Sequence, residues 1–528
     1  MRTRGQRTRV ALIHLLSLLT GALYLVRVNR DQWFYGDEWA FLGGARRHLP
    51  WYDQLLAPHN EHWSTAPYLV YRIFEAIFGI RSYWPYFLTA IVLHLVVVHL
   101  VWWVMLQSGS DPFVATVVVL PLIVLGAGAQ NLLWAFQIGF LGSLALGLGA
   151  LLLVNHVGAW RRRDWAALAV ILFALLWSGV AVLMVGLCVL VVLLRRGWRQ
   201  AAALAVAPAA VYLVWTIAYP PPDALAATSV RELGDLLGPY VATGLSTAAD
   251  AFVFNLPLLG SLCLVVLGVY LVRTAERATT EAAVVYACAL GAAAQFALSA
   301  YARAKLGTEQ ATETRYGYIV VILLAPAVAM VVSRFVRGRG EVAFLALAAV
   351  FVVLGVTNAH LLRVHASDDE GRERKLRGLI VSAARIAADP RETIARGAVP
   401  EPRYSPDLTV ADLRRFARNG ELPHDITPLE GQLTAAANLQ VGLDPTAPLA
   451  SCSTAAGRVL QTGSHGVRAV VHGTPQSVIA VTLVDPATGV RSETRQLTLP
   501  ALWSLLSIYA KNVDAEVATP ADVHLCSQ

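Results

Sequence analysis

The sequence predicts a polytopic α-helical membrane protein of about eleven spans, followed by a soluble domain built from helices and a β-sandwich. Three observations predict this architecture. Of the 528 residues, 56% are hydrophobic and only 15% are charged, which is the balance of a membrane protein with room for one soluble domain. Apolar runs long enough to cross a bilayer recur as far as residue 361. Beyond Leu362 the chain becomes charged, and it later alternates as strands do.

Ten apolar runs carry the spans, and one of them is ambiguous. The run 166–194 is long for one span and short for two. Arginines flank it on both sides, at 161–163 and at 195–199, so both ends belong on the same face. We therefore predict a tight hairpin that turns at residues 177–179. The other runs are 10–28, 85–106, 113–128, 131–155, 200–218, 252–272, 282–300, 317–333 and 342–361.

Basic clusters set the predicted orientation. With eleven spans the arginine clusters all fall on one face, which the positive-inside rule makes cytoplasmic. The N-terminus is then cytoplasmic, and the first helix is an uncleaved span because no convincing cleavage site follows it. The loops 30–84, 219–251 and 301–316 and the C-terminal tail lie outside. The basic excess of seven therefore reflects topology and does not indicate nucleic-acid binding.

The tail divides into two parts. Residues 363–424 form a helical connector, in which Thr409 and Asp412 have the spacing of a capping box. Residues 425–528 are β-rich, with strand-like alternation from about residue 434 and a turn at 486–489. Cys452 and Cys526 are the only cysteines in the tail, and a disulfide between them fits an extracytoplasmic, oxidising location.

An acidic pair, Asp37 and Glu38, follows the first span closely. A carboxylate at the mouth of a helical bundle can act as a general base toward a hydroxyl, or it can bind a divalent cation such as Mg²⁺ or Mn²⁺. The alternative is a solvated loop acid or a helix N-cap. Residues 68–78 continue this loop as a predicted amphipathic helix at the membrane surface, after the breaker Pro67.

Three polar residues, His59, Glu61 and His62, lie in the stretch PHNEHWS of the same loop. The spacing lacks the helical pair of histidines that zinc hydrolases use, so a zinc site is the weaker interpretation. We expect these side chains to bind substrate or to hydrogen-bond the backbone of the loop.

Two further segments carry candidate substrate contacts. In AQNLLWAFQIGF, Gln130, Trp134 and Gln137 are spaced to share one helix face, where they would line a polar cavity or join helices together. The outer segment 301–316 is basic against the positive-inside trend, which suggests an anionic partner such as a phosphate. A solvated loop that pairs with its own Glu309 and Glu313 is the alternative. The candidates in this segment are Arg303, Lys305, Arg315 and Tyr316.

The stretches YGDEWAFL, PHNEHWSTAPYLVYRIFEAIFG, NLLWAFQIGF and GTEQATETRYGYIVVILLAP, with the hairpin at Gly179, resemble the GT-C membrane glycosyltransferases. The nearest branch is that of the protein O-mannosyltransferases and aminoarabinose transferases. The resemblance covers roughly residues 10–360. It implies a GT-C-like transmembrane domain at 1–362 in a bacterial plasma membrane, with Asp37 as base or metal ligand. It also implies that basic residues of the outer loop hold the lipid phosphate of the donor.

These features predict a glycosyltransferase, hexosyl or pentosyl, that uses a polyprenyl-phosphate-linked sugar. Its acceptor would be a glycan, lipid or protein on the outer face, and membrane lipids would surround it. Two other classes stay open. A transporter would carry ionisable groups within its spans, where the sequence offers little beyond His94 and His99. A non-catalytic scaffold or sensor would keep the fold and present the β-domain.

Overall fold

The computed structural model describes residues 4–44, 46–47, 49–220, 226, 229–275, 282–424, 427–447 and 459–526. The chain divides into two compact units. The first unit comprises Met1–Gln32, Trp51–Val70 and Trp84–Asp369, and the second comprises Trp33–Pro50, Tyr71–Tyr83 and Glu370–Gln528. The predicted boundary after residue 362 differs from this division, because parts of the loop 30–84 and all residues from 370 onward group together.

Helices account for most of the described chain. They are α1 (Arg4–Asn29), α2 (Glu38–Leu42), α3 (Trp51–Leu56), α4 (Thr65–Phe78), α5 (Trp84–Gln107), α6 (Pro112–Ile123), α7 (Ala129–Leu133), α8 (Ile138–Val154), α9 (Arg162–Leu175), α10 (Val180–Arg196), α11 (Trp198–Ala218), α12 (Val230–Phe252), α13 (Leu259–Thr274), α14 (Ala283–Ala302), α15 (Thr314–Val336), α16 (Gly340–Ala388), α17 (Val410–Arg418) and α18 (Leu429–Gln440). Short 3-10 turns lie at Gly126–Gly128, Ala135–Gln137, Ala304–Leu306 and Thr308–Thr312.

Several of these helices fit a membrane-embedded protein. Within the described ranges, seven helices are long and apolar enough to cross a bilayer, or eight if α6 and the segment Gly126–Leu133, bent by 55°, form one broken span. Each of the eleven predicted spans contains a helix, but α9, α10 and α13 are shorter than the 18 residues of a full span. The count of eleven therefore stays a prediction.

The predicted hairpin within 166–194 is present as two helices, α9 and α10, separated at residues 176–179. Two glycines allow its close packing. A methyl group at Gly142 of α8 would lie 2.2 Å from the ring of Trp177, and one at Gly179 would lie 2.9 Å from the ring of His62. Any side chain at either position would push the turn out of place.

The predicted outer loop 219–251 contains most of a helix, α12. Its position outside the membrane stays a prediction. Ser229 caps α12, because its side chain accepts a hydrogen bond from the backbone N–H of Glu232 at 3.1 Å. The predicted surface helix is present as α4. It begins at Thr65, two residues before Pro67, since proline is tolerated in a first turn. Its apolar residues Leu69 and Ile73 are exposed, as a membrane-surface helix requires.

The second unit contains a β-sandwich. In its described part, two antiparallel four-stranded sheets have the strand orders β1-β6-β3-β8 and β2-β7-β4-β5. The strands are β1 (Val441–Pro445), β2 (Val459–Gln461), β3 (Val467–His472), β4 (Val478–Val484), β5 (Arg495–Thr498), β6 (Trp503–Ile508), β7 (Asp514–Ala518) and β8 (His524–Cys526). Both sheets turn apolar side chains into one buried core, with Val471 and Leu506 from one sheet and Val481 and Val517 from the other.

Local sequence signals explain much of this unit. The capping box of α17 is formed by Thr409 and Asp412, whose side chains each accept a hydrogen bond from the other residue's backbone N–H. Strand-like alternation was predicted from about residue 434. That start is wrong, because α18 continues to Gln440. Cys526 is disulfide-bonded. Cys452, its predicted partner, lies outside the described residues, so that pairing stays a prediction.

Candidate functional site

The first unit places His59, Glu61 and His62 in a tight hairpin before α4. The backbone N–H of each histidine donates to the carbonyl of the other at 3.0 Å. Asn60 takes a left-handed conformation (φ 50°) at the tip, which asparagine tolerates well. The hairpin turns Glu61 and His62 toward residues that are distant in sequence.

Arg303 forms an ion pair with Glu61. Its Nε and Nη2 donate to Oε1 of the carboxylate at 2.9 and 2.6 Å, and both side chains are largely buried. Burial alone would raise the pKa of Glu61, but the neighbouring His62 and Arg303 outweigh it, and the pKa is lowered. Glu61 is therefore ionised at neutral pH.

His62 joins this pair to the α9–α10 hairpin. Its Nδ1 accepts a hydrogen bond from the backbone N–H of Gly179 at 3.3 Å, so the neutral ring carries its proton on Nε2. That nitrogen faces Oε1 of Glu61 at 3.4 Å. Burial lowers the pKa of His62 to about 4, with Arg303 and Arg315 acting in the same direction. The ring is thus uncharged at neutral pH and orients the carboxylate.

The start of α15 is held by Gln130. Its side-chain amide donates to Oε2 of Glu313 at 2.6 Å and accepts from the backbone N–H of Arg315 at 3.2 Å. Among the described residues, the Arg315 guanidinium contacts only Glu313, at 3.7 Å, and the ring of Tyr316, at 5.2 Å from its centre. Arg315 therefore keeps N–H donors available for a ligand, whereas Arg303 uses its Nε and Nη2 to bind Glu61.

Two buried phenols lie beside these arginines. Tyr240 of α12 and Tyr316 of α15 interact electrostatically with Arg303, and Tyr240 also interacts with Arg315. Neither hydroxyl has a hydrogen-bond partner among the described residues, although both side chains are almost wholly buried. Because an unpaired buried hydroxyl costs about 1–3 kcal/mol, such groups indicate a ligand or an ordered water. We name Arg303, Arg315, Tyr240 and Tyr316 the cationic cluster.

The remaining candidates of the first unit have different positions. Gln130, Trp134 and Gln137 do not share one helix face, so that prediction is wrong: α7 ends at Leu133, and the backbone of Trp134 is extended (φ −110°, ψ 109°). Gln137 is buried, and its Oε1 has no partner among the described residues. Lys305 is exposed. His59 packs its ring against Phe136, with centres 5.2 Å apart.

The acidic pair belongs to the second unit. Asp37 is the N-cap residue of α2, although its side chain makes no capping hydrogen bond. Glu38 is fully buried and accepts from three donors: the hydroxyls of Tyr71 and Tyr83 and the backbone N–H of Tyr35. Burial raises the pKa of Glu38 to about 8, against the opposing effect of those three hydrogen bonds.

A second buried acid in this unit was not identified from sequence. Glu75 of α4 contacts three guanidinium groups: Arg47 at 2.7 Å, Arg415 at 2.6 Å, and Arg72. Only the i, i+3 pair with Arg72 could have been read from the sequence. The carboxylate thus holds together three cations from separate parts of the chain and offsets part of their charge.

The residues do not fit a divalent cation at the acidic pair. In the part of the chain that the structure describes, no group of three or more His, Cys, Asp or Glu is arranged to hold a metal ion. The oxygens of Glu38 are already occupied by donors, and the raised pKa favours its protonated form.

Histidines within the helices have partners. His94 bonds the hydroxyl of Tyr318 at 2.9 Å and the carbonyl of Ile123 at 3.0 Å, and His99 bonds His14 at 3.1 Å. These contacts join helices of the first unit. They match the expectation that these side chains are satisfied by neighbours, and they give no support to a transport pathway.

Comparison with known proteins adds no relative. No protein-family model, curated protein or solved structure matches this chain. The likeness to GT-C glycosyltransferases therefore depends on the sequence stretches that carry it, and the assignment of an activity remains a proposal.

Proposed function

We propose that the protein is a membrane glycosyltransferase that transfers a sugar from a polyprenyl-phosphate donor to a cell-envelope acceptor on the outer face of the membrane. The observation that carries the proposal is the cationic cluster. Two guanidinium groups and two unpaired phenol hydroxyls supply hydrogen-bond donors for an anion. A phosphate with a hydrocarbon tail suits such a cluster in a unit built of apolar helices.

In this proposal the cationic cluster stabilises the leaving group. As the bond between the anomeric carbon and the phosphate oxygen breaks, the phosphate gains a negative charge, which Arg315 and Arg303 offset. Glu61 and His62 act as positioning residues, since they fix the Arg303 guanidinium through the contacts described above. Donors aimed at a developing charge are worth about 10²–10³ in rate each.

Asp37 is proposed as the base from the family resemblance. Its carboxylate would take the proton of the acceptor hydroxyl as that oxygen attacks the anomeric carbon. The new glycosidic bond forms as the bond to phosphate breaks, and polyprenyl phosphate leaves. Glu38 has no free carboxylate oxygen and is proposed as a positioning residue for the Asp37 backbone.

One observation favours the non-catalytic alternative. Because Glu38 is buried and held by three donors, the acidic pair already has a structural role without any reaction. A scaffold or sensor that retains the fold would keep this role. The alternative predicts that Asp37 can be neutralised with no chemical consequence.

The proposal is tested with the purified full-length protein in liposomes that contain polyprenyl-phosphate-linked sugars and a cell-envelope extract. Release of polyprenyl phosphate is the readout. We expect Arg315→Gln and Asp37→Asn each to lower the release at least 100-fold. Arg337→Gln is the matched control, because Arg337 is exposed and directly follows the far end of the same helix, α15.

The outcomes separate the two functions. Equal release by wild type and both variants, at unchanged protein level, would remove the catalytic proposal and leave the scaffold. A loss in Arg337→Gln as large as that in Arg315→Gln would show that general basic charge, and not the cationic cluster, is responsible.

A further inference from the structure

An apolar groove of about 640 Å³ lies on the first unit between α5, α8 and α9. Its walls are almost wholly carbon. Along α5 it extends from Leu93 to Gln107, which at 1.5 Å per residue is roughly 21 Å. One leaflet of a bilayer has roughly 15 Å of hydrocarbon, so the groove is long enough for an extended acyl chain.

Two glycines of α8 give the groove its depth. At Gly142 the missing side chain makes room for the ring of Trp177, which closes one end. At Gly149 no atom lies within 4 Å of the position that a Cβ would take. The space beside Gly149 is thus open and belongs to the groove.

The other end of the groove is polar. Gln107 lines it and accepts a hydrogen bond from Asn155 at 3.1 Å, and Asn155 in turn bonds the guanidinium of Arg195. Arg163 also lines this end. Its Nε and Nη2 donate to the carbonyls of Leu153 and Leu152 at 2.5 and 2.8 Å, which leaves Nη1 for another acceptor.

A buried arginine, Arg196, does not line the groove but pairs with Asp164, the neighbour of Arg163, and has unused donors. Arg196 contacts Asp164 at 2.9 Å and His156 at 3.1 Å through Nη1. Its Nε and Nη2 are buried and have no hydrogen-bond partner among the described residues. Such donors are costly without an acceptor. They mark a position where a negatively charged group would be stabilised.

The charge at this end is strongly positive. Arginines occupy 161–163, 195, 196 and 199, against the single acid Asp164 within the same stretches. This is also the face that the positive-inside rule predicts to be cytoplasmic. Each basic residue near a membrane surface attracts an anionic lipid by about 1 kcal/mol. A zwitterionic headgroup carries a positive charge of its own, which these arginines would repel.

We propose that this groove binds an anionic phospholipid of the cytoplasmic leaflet. One acyl chain lies along α5 and α8, and the phosphate accepts a hydrogen bond from Arg163 at the polar end, where Arg196 adds positive charge. The lipid completes the donors of Arg163. This inference is independent of the proposed activity, because it concerns the opposite predicted face and needs no reaction.

The test is native mass spectrometry of the full-length protein released from nanodiscs of equal phosphatidylglycerol and phosphatidylcholine. We expect wild type to retain phosphatidylglycerol at least tenfold over phosphatidylcholine. Gly149→Leu should lower the retained phosphatidylglycerol at least fivefold, since the new side chain fills the groove. Gly186→Leu on α10 is the matched control, because that glycine also faces open space but does not line the groove.

Val96→Trp also fills the groove, from the side of α5, and is the alternative groove-filling variant if Gly149→Leu does not fold. Equal retention of both lipids by wild type would overturn the headgroup assignment. Unchanged retention in the groove-filling variants would overturn the location. Displacement of the phospholipid by added polyprenyl phosphate at equal concentration would assign the groove to that lipid and overturn the proposal.

Discussion

The buried carboxyl of Glu38 should make the stability of the second unit fall as pH rises. In the folded protein the pKa is raised to about 8 by burial, from an ordinary value of 4.5. Between these two values the folded state holds a proton that the unfolded state has lost. The free energy of unfolding is therefore unaffected below pH 4.5, falls through the window from 4.5 to 8, and is level above it.

The size of the effect follows from the pKa. Each pH unit within the window is worth about 1.4 kcal/mol, so about 4 kcal/mol of unfolding free energy should be lost between pH 5 and pH 8. Glu38→Gln has no proton to lose. Its amide oxygen can accept from the backbone N–H of Tyr35 while its N–H₂ donates to the hydroxyl oxygens of Tyr71 and Tyr83, so any cost of the substitution is the same at every pH. Such a cost lowers the unfolding free energy of Glu38→Gln by the same amount at every pH and does not change how it depends on pH.

The assay is denaturant unfolding in detergent micelles at pH 5, 6, 7 and 8. We expect the stability of Glu38→Gln minus that of wild type to increase by about 4 kcal/mol across this range. Glu430→Gln is the control, because Glu430 is exposed, 3.7 Å from Lys375, and an exposed pair of this kind contributes about 1 kcal/mol or less. Parallel pH curves for wild type and Glu38→Gln would refute the reasoning.

Three further predictions concern stability. Glu75→Ala should cost about 1.5–3 kcal/mol, because it removes the buried carboxylate between three partly exposed guanidiniums; an unchanged denaturation midpoint would contradict this. Thr409→Ala should cost about 1 kcal/mol by removing the cap of α17, and Thr409→Ser should restore it in the same measurement. Gly126→Ala should lower the thermal midpoint, since its Cβ would lie 2.3 Å from the carbonyl of Asn358, whereas Gly149→Ala meets no atom; equal midpoints would argue against that packing.

Local patterns predicted the helices well. Apolar runs placed the helices of the first unit, and paired basic flanks placed the turn between α9 and α10 near Gly179. The capping box at Thr409 fixed the start of α17. These signals work because each depends on residues close together in sequence. The Ser229–Glu232 spacing is the same kind of signal, and it would have revealed α12.

Contacts between residues far apart in sequence could not be predicted from such local patterns. Arg303 was expected to bind an anion or pair within its own loop, but its partner Glu61 is 242 residues away. Gln130 and Gln137 had helical spacing, and only the extended backbone of Trp134 shows that the helix ends between them. The phenol of Tyr240 carried no signal at all, since its importance lies in a missing partner.

Strands β6–β8 were not placed individually within the predicted β-rich region 425–528, because serines interrupt the apolar residues of β6 without strict alternation and β8 has only three residues. Their pairing matters most for the sandwich. β1 pairs with β6, β2 with β7, and β3 with both β6 and β8, so each of the early strands takes a partner from residues 503–526.

This strand order delays completion of the sandwich during synthesis. Until residues 503–526 have been synthesised, β1, β2 and β3 present open hydrogen-bonding edges with no native neighbour. The nascent domain therefore passes through an unfinished, association-prone form. Chaperones that shield bare strand edges should be needed during that interval, and a stop codon before Trp503 should be far more damaging than a loss of equal length from a helix end.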